Sequence, residues 1–240
     1  MAGLARPTVV PKGFLELCCD AESTFGRLCE ERGRPCLRVT ETVGLHTSRG
    51  LGRALGFLAE HPASDVWAAT PCTPWTSWCH LNAAKLGEKF RSRLAYRRRA
   101  SLRLVNAAAK CMATAQASGG HCHFEWPRYA SGWRRRPVQR MLKQLGMETA
   151  DFDGCAFGVS ASPTVLALKP WRVATTHPGL AAALRRFRCP GDHEHGTLSG
   201  AWAYHSGFYP ESLCNLVLDE LDSRAPPLCR PRRHGLRTYS

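Results

Sequence analysis

Two side chains carry the chemistry a reader notices first. Cys72 stands between two prolines in Thr70-Pro71-Cys72-Thr73-Pro74-Trp75, and Glu125 stands in Phe124-Glu125-Trp126-Pro127. Each belongs to, or directly follows, a short apolar run. Flanking prolines fix φ nearby and stiffen the loop, which suits a thiol presented as a nucleophile. The same stiffness suits a rigid turn that happens to hold a small apolar residue. An acid within reach of such a thiol can carry a proton to or from a reacting group.

A second cluster lies upstream. Glu16 sits inside the run Phe14–Cys19, and Leu17 and Cys18 lead into Asp20, Glu22 and Ser23. A phosphate-binding turn would carry glycines here, and two acids would repel a phosphate. The segment therefore argues against a nucleoside triphosphate or a dinucleotide. It is compatible with a ligand bearing an amine or a sulfonium. Asp20 or Ser23 can also serve as a helix cap. Glu41 closes the next apolar run, a place where an acid can accept two hydrogen bonds from a ribose, although nothing confines it to that role.

Charge points to a partner. The chain carries a formal net charge of +14, and 27 of its 33 basic residues are arginine. Lys85–Arg103 holds eight basic residues against one acid, including Arg97, Arg98 and Arg99. Arg134, Arg135 and Arg136 open a second block, and Trp75, Trp78, Trp126, Tyr129 and Trp133 lie in the same loops. Arginines interleaved with aromatics grip single strands and flipped bases. They also describe a solvated helix face over a packed core, and about half of the five aromatics are expected to be core. Cys189, His193 and His195 have types and spacing that zinc can use, and His121-Cys122-His123 offers a further ligand. No second Cys or His pair completes the set, so zinc is not expected. The 12 cysteines include no Cys-x-x-Cys pair. They read as reduced thiols of an intracellular protein, nuclear or cytoplasmic, rather than a disulfide framework.

These residues need a frame. Strand-like runs cover Phe14–Cys19, Cys36–Glu41, Asp65–Ala69 and His121–Trp126, with helical patterns over Ser23–Arg32, Leu51–Glu60 and Lys85–Ser118 between them. Arg136–Leu145 reads as a short helix with Pro137 in its first turn. Thr149–Phe157 and Thr164–Thr175 then read as an antiparallel strand pair, with Pro170 marking an edge or a bulge. The alternation predicts an α/β fold with a mostly parallel sheet and an antiparallel edge pair. Ligands on such sheets bind beyond the carboxyl ends of the strands, where Cys72, Glu125, Asp20 and Glu41 fall. No strand is apparent between Thr42 and Ser64. Residues 1–13 read as an extension, 14–222 as one domain and 223–240 as a basic, disordered tail. No run is long and apolar enough for a membrane span.

The order Glu16-Leu17-Cys18-Cys19, Pro71-Cys72-Thr73, Phe124-Glu125-Trp126-Pro127, Phe152–Gly158, Lys169-Pro170-Trp171-Arg172, the late Cys/His cluster and Tyr209-Pro210 resembles cytosine-C5 DNA methyltransferases. It is more similar to divergent methyltransferase-like proteins of protist genomes, often found beside retroelement genes. The resemblance spans about residues 14–218. It implies a Rossmann-like methyltransferase sheet, Cys72 as the nucleophile that adds to cytosine C6, and Glu125 as the acid acting at N3. It implies S-adenosylmethionine at Leu17–Ser23 and Pro71, with Glu41 on the ribose. The chain departs from that pattern where Glu125 is followed by Trp-Pro rather than Asn-Val, where the first turn lacks glycine, and where no Gln-x-Arg-x-Arg segment appears.

The leading expectation is thus a divergent S-adenosylmethionine-dependent methyltransferase acting on nucleic acid. The alternative is an inactive protein of that fold that binds DNA or RNA through its arginines, and a third reading is a zinc-stabilised interaction domain. The sequence leaves the oligomeric state open.

Overall fold

The structure is a computed structural model and describes residues 12–223. The expected basic tail, and all but the last two residues of the N-terminal extension, lie outside the described residues. Six strands form one mixed sheet in the order β2-β1-β3-β4-β6-β5. β1 (Phe14–Leu17), β2 (Cys36–Val39), β3 (Asp65–Ala68) and β4 (Cys122–Pro127) run parallel to their neighbours. β5 (Glu148–Asp153) and β6 (Pro170–Thr175) complete the sheet, with β6 antiparallel to both β4 and β5. The fold is α/β with a mostly parallel sheet and one antiparallel pair at its edge.

Period-2 alternation assigns each strand residue to a face. Leu15, Leu17, Val66, Ala68 and Phe124 pack on one side beneath α2 (Ser48–Glu60), α4 (Gly87–Ala117) and α5 (Arg136–Leu145). Phe14, Trp67, Phe152 and Val173 pack on the other, against α1 (Thr24–Glu31), α6 (Pro178–Arg185) and α8 (Glu211–Asp222). The remaining helices, α3 (Ser77–Lys85) and α7 (Gly200–His205), sit in the loops after β3 and before α8.

Local chemistry explains most boundaries. Ser23 caps α1 by accepting from Gly26 N, and Thr47 caps α2 from Gly50 N, three residues earlier than the apolar pattern suggested. α5 covers the expected residues. Pro137 fits its first turn, and Gly146 closes it at φ +64, in the left-handed region. The helical region expected over Lys85–Ser118 is one continuous helix, α4, and a further helix, α3, precedes it. Gly87, at φ +70, stands at the junction and separates the two.

Two strand expectations are corrected. The run Thr164–Thr175 is not one strand: regular pairing begins only at Pro170. β6 is also interior rather than at an edge, and the edge belongs to β5. Proline is tolerated because it is the first residue of the strand, and its carbonyl still accepts from Arg128 N at 3.0 Å. The second strand stops at Val39, so Glu41 lies two residues beyond it in a turn. Among the described residues no helix is long and apolar enough to cross a membrane.

Candidate active site

The parallel strands β1, β3 and β4 end at one rim of the sheet. The reversed β6 begins there and delivers Lys169 to the same place. Between these ends lies a cleft of about 390 Å³, lined by Glu16, Cys72, Glu125, Lys169, Tyr209 and their neighbours. Cys72 and Glu125, 53 positions apart in the chain, thus share one cavity because their strands are neighbours.

The loop carrying Cys72 is held from every side. Trp126 Nε1 donates to Thr70 O at 2.6 Å, and Ser101 Oγ donates to Pro71 O at 3.1 Å. Trp75 Nε1 donates to Ser101 Oγ at 2.9 Å, and Arg98 Nε donates to Pro74 O at 3.1 Å. Trp75, Trp126 and Trp133 form a tilted and edge-on cluster under the loop. Gly132 lies between the rings of Trp126 and Trp75, where even a methyl group would collide with both. Such bracing fixes the thiol in one place, as a nucleophile requires.

Electrostatics divide labour between the two groups. Burial, followed by the nearby Glu125 carboxyl, pushes the Cys72 thiol up to about 11, while Lys169 pulls it back. Burial raises Glu125 from 4.5 to about 7, opposed by the hydrogen bond from Tyr209 Oη at 2.7 Å and by Lys169. Glu125 therefore carries a proton for part of the time at neutral pH. Burial also lowers Lys169, whose Nζ donates to Ser206 O and lies 5.0 Å from the Trp171 ring. Glu125 Oε1 and Thr70 Oγ1 are buried without a hydrogen-bond partner among the described residues, and both line the cleft. A buried polar atom left unpaired costs about 1–3 kcal/mol, so two on one cavity point to a ligand that pairs them.

The first turn supplies what its sequence lacks. Cys18 adopts φ +62, the left-handed conformation a glycine would give. Lys169, at φ +33, is another of three non-glycine residues with positive φ among the described residues, and both border the cleft. Glu16 is buried and held up at about 7 by that burial, with Ser23 Oγ donating to its Oε2 at 2.5 Å. Cys18, Cys19 and Pro71 also wall a second cavity of about 570 Å³, which continues past Glu41, Gly44 and Leu45 to Tyr96, Ala100 and Arg103 of α4. That volume suits a cofactor of ordinary size. Of the two expected acids, Glu41 lines this second cavity, whereas Asp20 lines the first cleft. Leu17 belongs to neither cavity: it is fully buried in the core under α2 and α4, correcting its expected ligand contact.

The basic residues separate into two kinds. Arg97, Arg99, Arg134, Arg135 and Arg136 are exposed. Arg98 is half-buried and lies over the Trp75 ring at 5.3 Å, with Arg135 over the same ring at 5.7 Å. Trp75 itself is 1% exposed, so it braces the loop and has no free face for a base. Trp126 and Trp133 are buried as well, while Trp78 and Tyr129 are exposed. Three of the five aromatics are core, close to the expected half.

The Cys/His cluster gains a member. Cys189 Sγ lies 3.8 Å from His193 Nε2 and 3.5 Å from His195 Nε2. Cys155 brings a fourth ligand atom, and all four lie within 4.8 Å of one another. The expected donors at His121–His123 are elsewhere: Cys122 Sγ donates to Met112 O, and His123 Nδ1 pairs with Thr175 Oγ1. Cys155, Lys169 and Tyr209 were missed as site residues. The segments Gly154-Cys155, Lys169-Pro170-Trp171 and Tyr209-Pro210 were visible as motifs but had no assigned role. No protein-family model matches the chain, and no curated protein matches its sequence.

Proposed function

We propose that the protein is a divergent S-adenosylmethionine-dependent methyltransferase acting on nucleic acid, of the cytosine-C5 kind. The observation that carries the reading is the cleft shared by Cys72 and Glu125, joined through Cys18, Cys19 and Pro71 to a second cavity. The acceptor base occupies the first and the cofactor the second. A mostly parallel α/β sheet is consistent with the Rossmann-like methyltransferase sheet that the resemblance implies.

Each residue then has a task. A base swung out of its stack enters the cleft. Cys72 gives its proton to solvent, the Lys169 cation favours the thiolate formed, and Sγ then adds to C6. Glu125 holds a proton at N3, which its raised titration allows near neutral pH. Thr70 Oγ1 and Glu125 Oε1 gain the partners they lack. Bound S-adenosylmethionine would supply an electrophilic methyl group. Loss of the C5 proton to solvent then breaks the C6–S bond and expels the Cys72 thiolate. The exposed Arg97, Arg99, Arg134 and Arg136 hold the phosphates on either side.

The test is transfer of a labelled methyl group to DNA and RNA oligonucleotides, with calorimetry of the demethylated cofactor. Transfer should vanish in Cys72→Ser while cofactor binding survives. An oligonucleotide with 5-fluorocytosine should trap a covalent adduct at Cys72. Absence of cofactor binding at millimolar concentration would remove this reading.

A second reading is a non-catalytic nucleic-acid-binding protein of the same fold. It is favoured by the height at which Cys72 is held and by Asp20 and Glu22 in the cofactor turn. Under it, Cys72→Ala leaves nucleic-acid affinity unchanged and no methyl group is ever transferred.

A further inference from the structure

We propose that Cys155, Cys189, His193 and His195 form a four-coordinate structural zinc site that fixes the wall of the cleft. The donor set is Cys₂His₂, one of the common closed sets for zinc. Zinc–sulfur bonds near 2.3 Å and zinc–nitrogen bonds near 2.0–2.1 Å place tetrahedral donors roughly 3.3–3.8 Å apart. Cys189 already stands at 3.8 and 3.5 Å from the two imidazole nitrogens. The widest separation in the set is under 4.8 Å, so small side-chain rotations close it.

The surroundings prepare the ligands. Asp192 Oδ1 pairs with His193 Nδ1 at 2.8 Å, which leaves Nε2 as the free lone pair facing the cluster. A carboxylate behind a ligating histidine is the usual way to fix its tautomer. Gly191 N donates to Cys189 Sγ at 3.4 Å and would stabilise a thiolate there. Asp153, just before Cys155, accepts from Cys189 N at 3.0 Å and so ties the two cysteine segments together. Leu166 bridges His195, and Gly196 N donates to Leu166 O at 2.8 Å. On binding, Zn²⁺ replaces the two thiol protons, which pass to solvent, and leaves a neutral centre.

The fold has a use for such a staple. Residues 158–169 and 186–199 contain no helix or strand beyond two isolated bridges. Irregular segments of this length need something other than backbone ladders to hold them. They lead directly into Lys169 and into the stretch from α7 to Tyr209, and these are the residues that close the cleft. The metal therefore sits outside the cleft and positions two of its walls.

The full chain, purified under reducing conditions without chelator, should contain about one equivalent of zinc. Replacement by cobalt should give thiolate-to-metal absorption, weakened in Cys155→Ser and in Cys189→Ser. Should the cysteine variants fail to fold, the exposed His195→Ala must still lower metal affinity by at least about tenfold. Three results would overturn the proposal. One is wild-type zinc below about a tenth of an equivalent with no cobalt–thiolate band. Another is a mass two hydrogens lower than expected, showing a Cys155–Cys189 disulfide in protein kept reduced. The third is full zinc content in the Cys155→Ser, His195→Ala double variant. None of these readouts involves methyl transfer, so the metal site stands or falls apart from the function proposed above.

Discussion

Glu125→Gln should make the protein more stable, and only at the upper end of the pH range. In the folded protein Glu125 titrates near 7, against 4.5 for an ordinary glutamate. Below pH 4.5 the group is neutral in both folded and unfolded chains and contributes nothing. Between 4.5 and 7 the unfolded chain ionises first, so stability falls as pH rises. Above 7 both forms are ionised and the penalty is constant, about 3 kcal/mol at one pKa unit per 1.36 kcal/mol. Glutamine has the same shape and never ionises. Its carbonyl can accept the Tyr209 hydrogen bond, and its amide fills the place of the unpaired Oε1. Glu16 titrates in the same range but is present in both proteins, so its contribution cancels in the difference. Urea unfolding of wild type and variant at pH 5, 6, 7 and 8, with reductant, reads the effect. The variant's advantage should grow by about 2.5 kcal/mol across that series, since about 1 kcal/mol of it is already present at pH 5. An advantage that stays constant within about 1 kcal/mol would show that Glu125 is not held protonated by burial, and would remove the acid from the proposed chemistry.

Further outcomes follow from other contacts. Ser23→Ala should cost about 1–2 kcal/mol through loss of the α1 cap. The cost should be greater above pH 7, where Glu16 is ionised and misses its 2.5 Å donor, a difference visible in the same urea series. Gly132→Ala should destabilise by about 1–3 kcal/mol, because its methyl group meets the Trp126 and Trp75 rings; thermal unfolding checks this. Arg97→Glu with Arg99→Glu should weaken oligonucleotide binding and lower the slope of affinity against salt by about two, measured by fluorescence anisotropy, without changing the melting temperature. Arg98→Glu should lower the melting temperature as well, since Arg98 holds Pro74 O and covers Trp75.

Local signals in the sequence accounted for much of this architecture. α5 was readable to the residue because proline and glycine mark its two ends. Cys72 and Glu125 were readable as partners because one follows and the other lies near the end of an apolar run that had to be a strand, and consecutive parallel strands tend to be neighbours. What remained hidden was long-range. Nothing local says that β6 inserts between β4 and β5, yet that insertion alone brings Lys169 to Glu125. Trp75 was misassigned because an aromatic beside arginines looks the same whether it stacks on a base or is itself covered by guanidinium groups. Cys155 could not be joined to Cys189 by spacing, since 33 residues separate them and their meeting depends on β5 and α6 packing together.

The reversed strand also orders events in time. Cys72 and Glu125 are made before β5 and β6, and a growing polypeptide could pair β1, β2, β3 and β4 as soon as they appear. The far edge of β4 must then wait for Pro170–Thr175, and β5, made earlier, cannot dock until β6 has taken its place. Tyr209, the hydrogen-bond donor to Glu125, comes later still. An interrupted translation product would own the thiol and the acid but leave them on an open sheet edge, without Lys169 or Tyr209. The complete cleft is in this way reserved for chains synthesised through Tyr209.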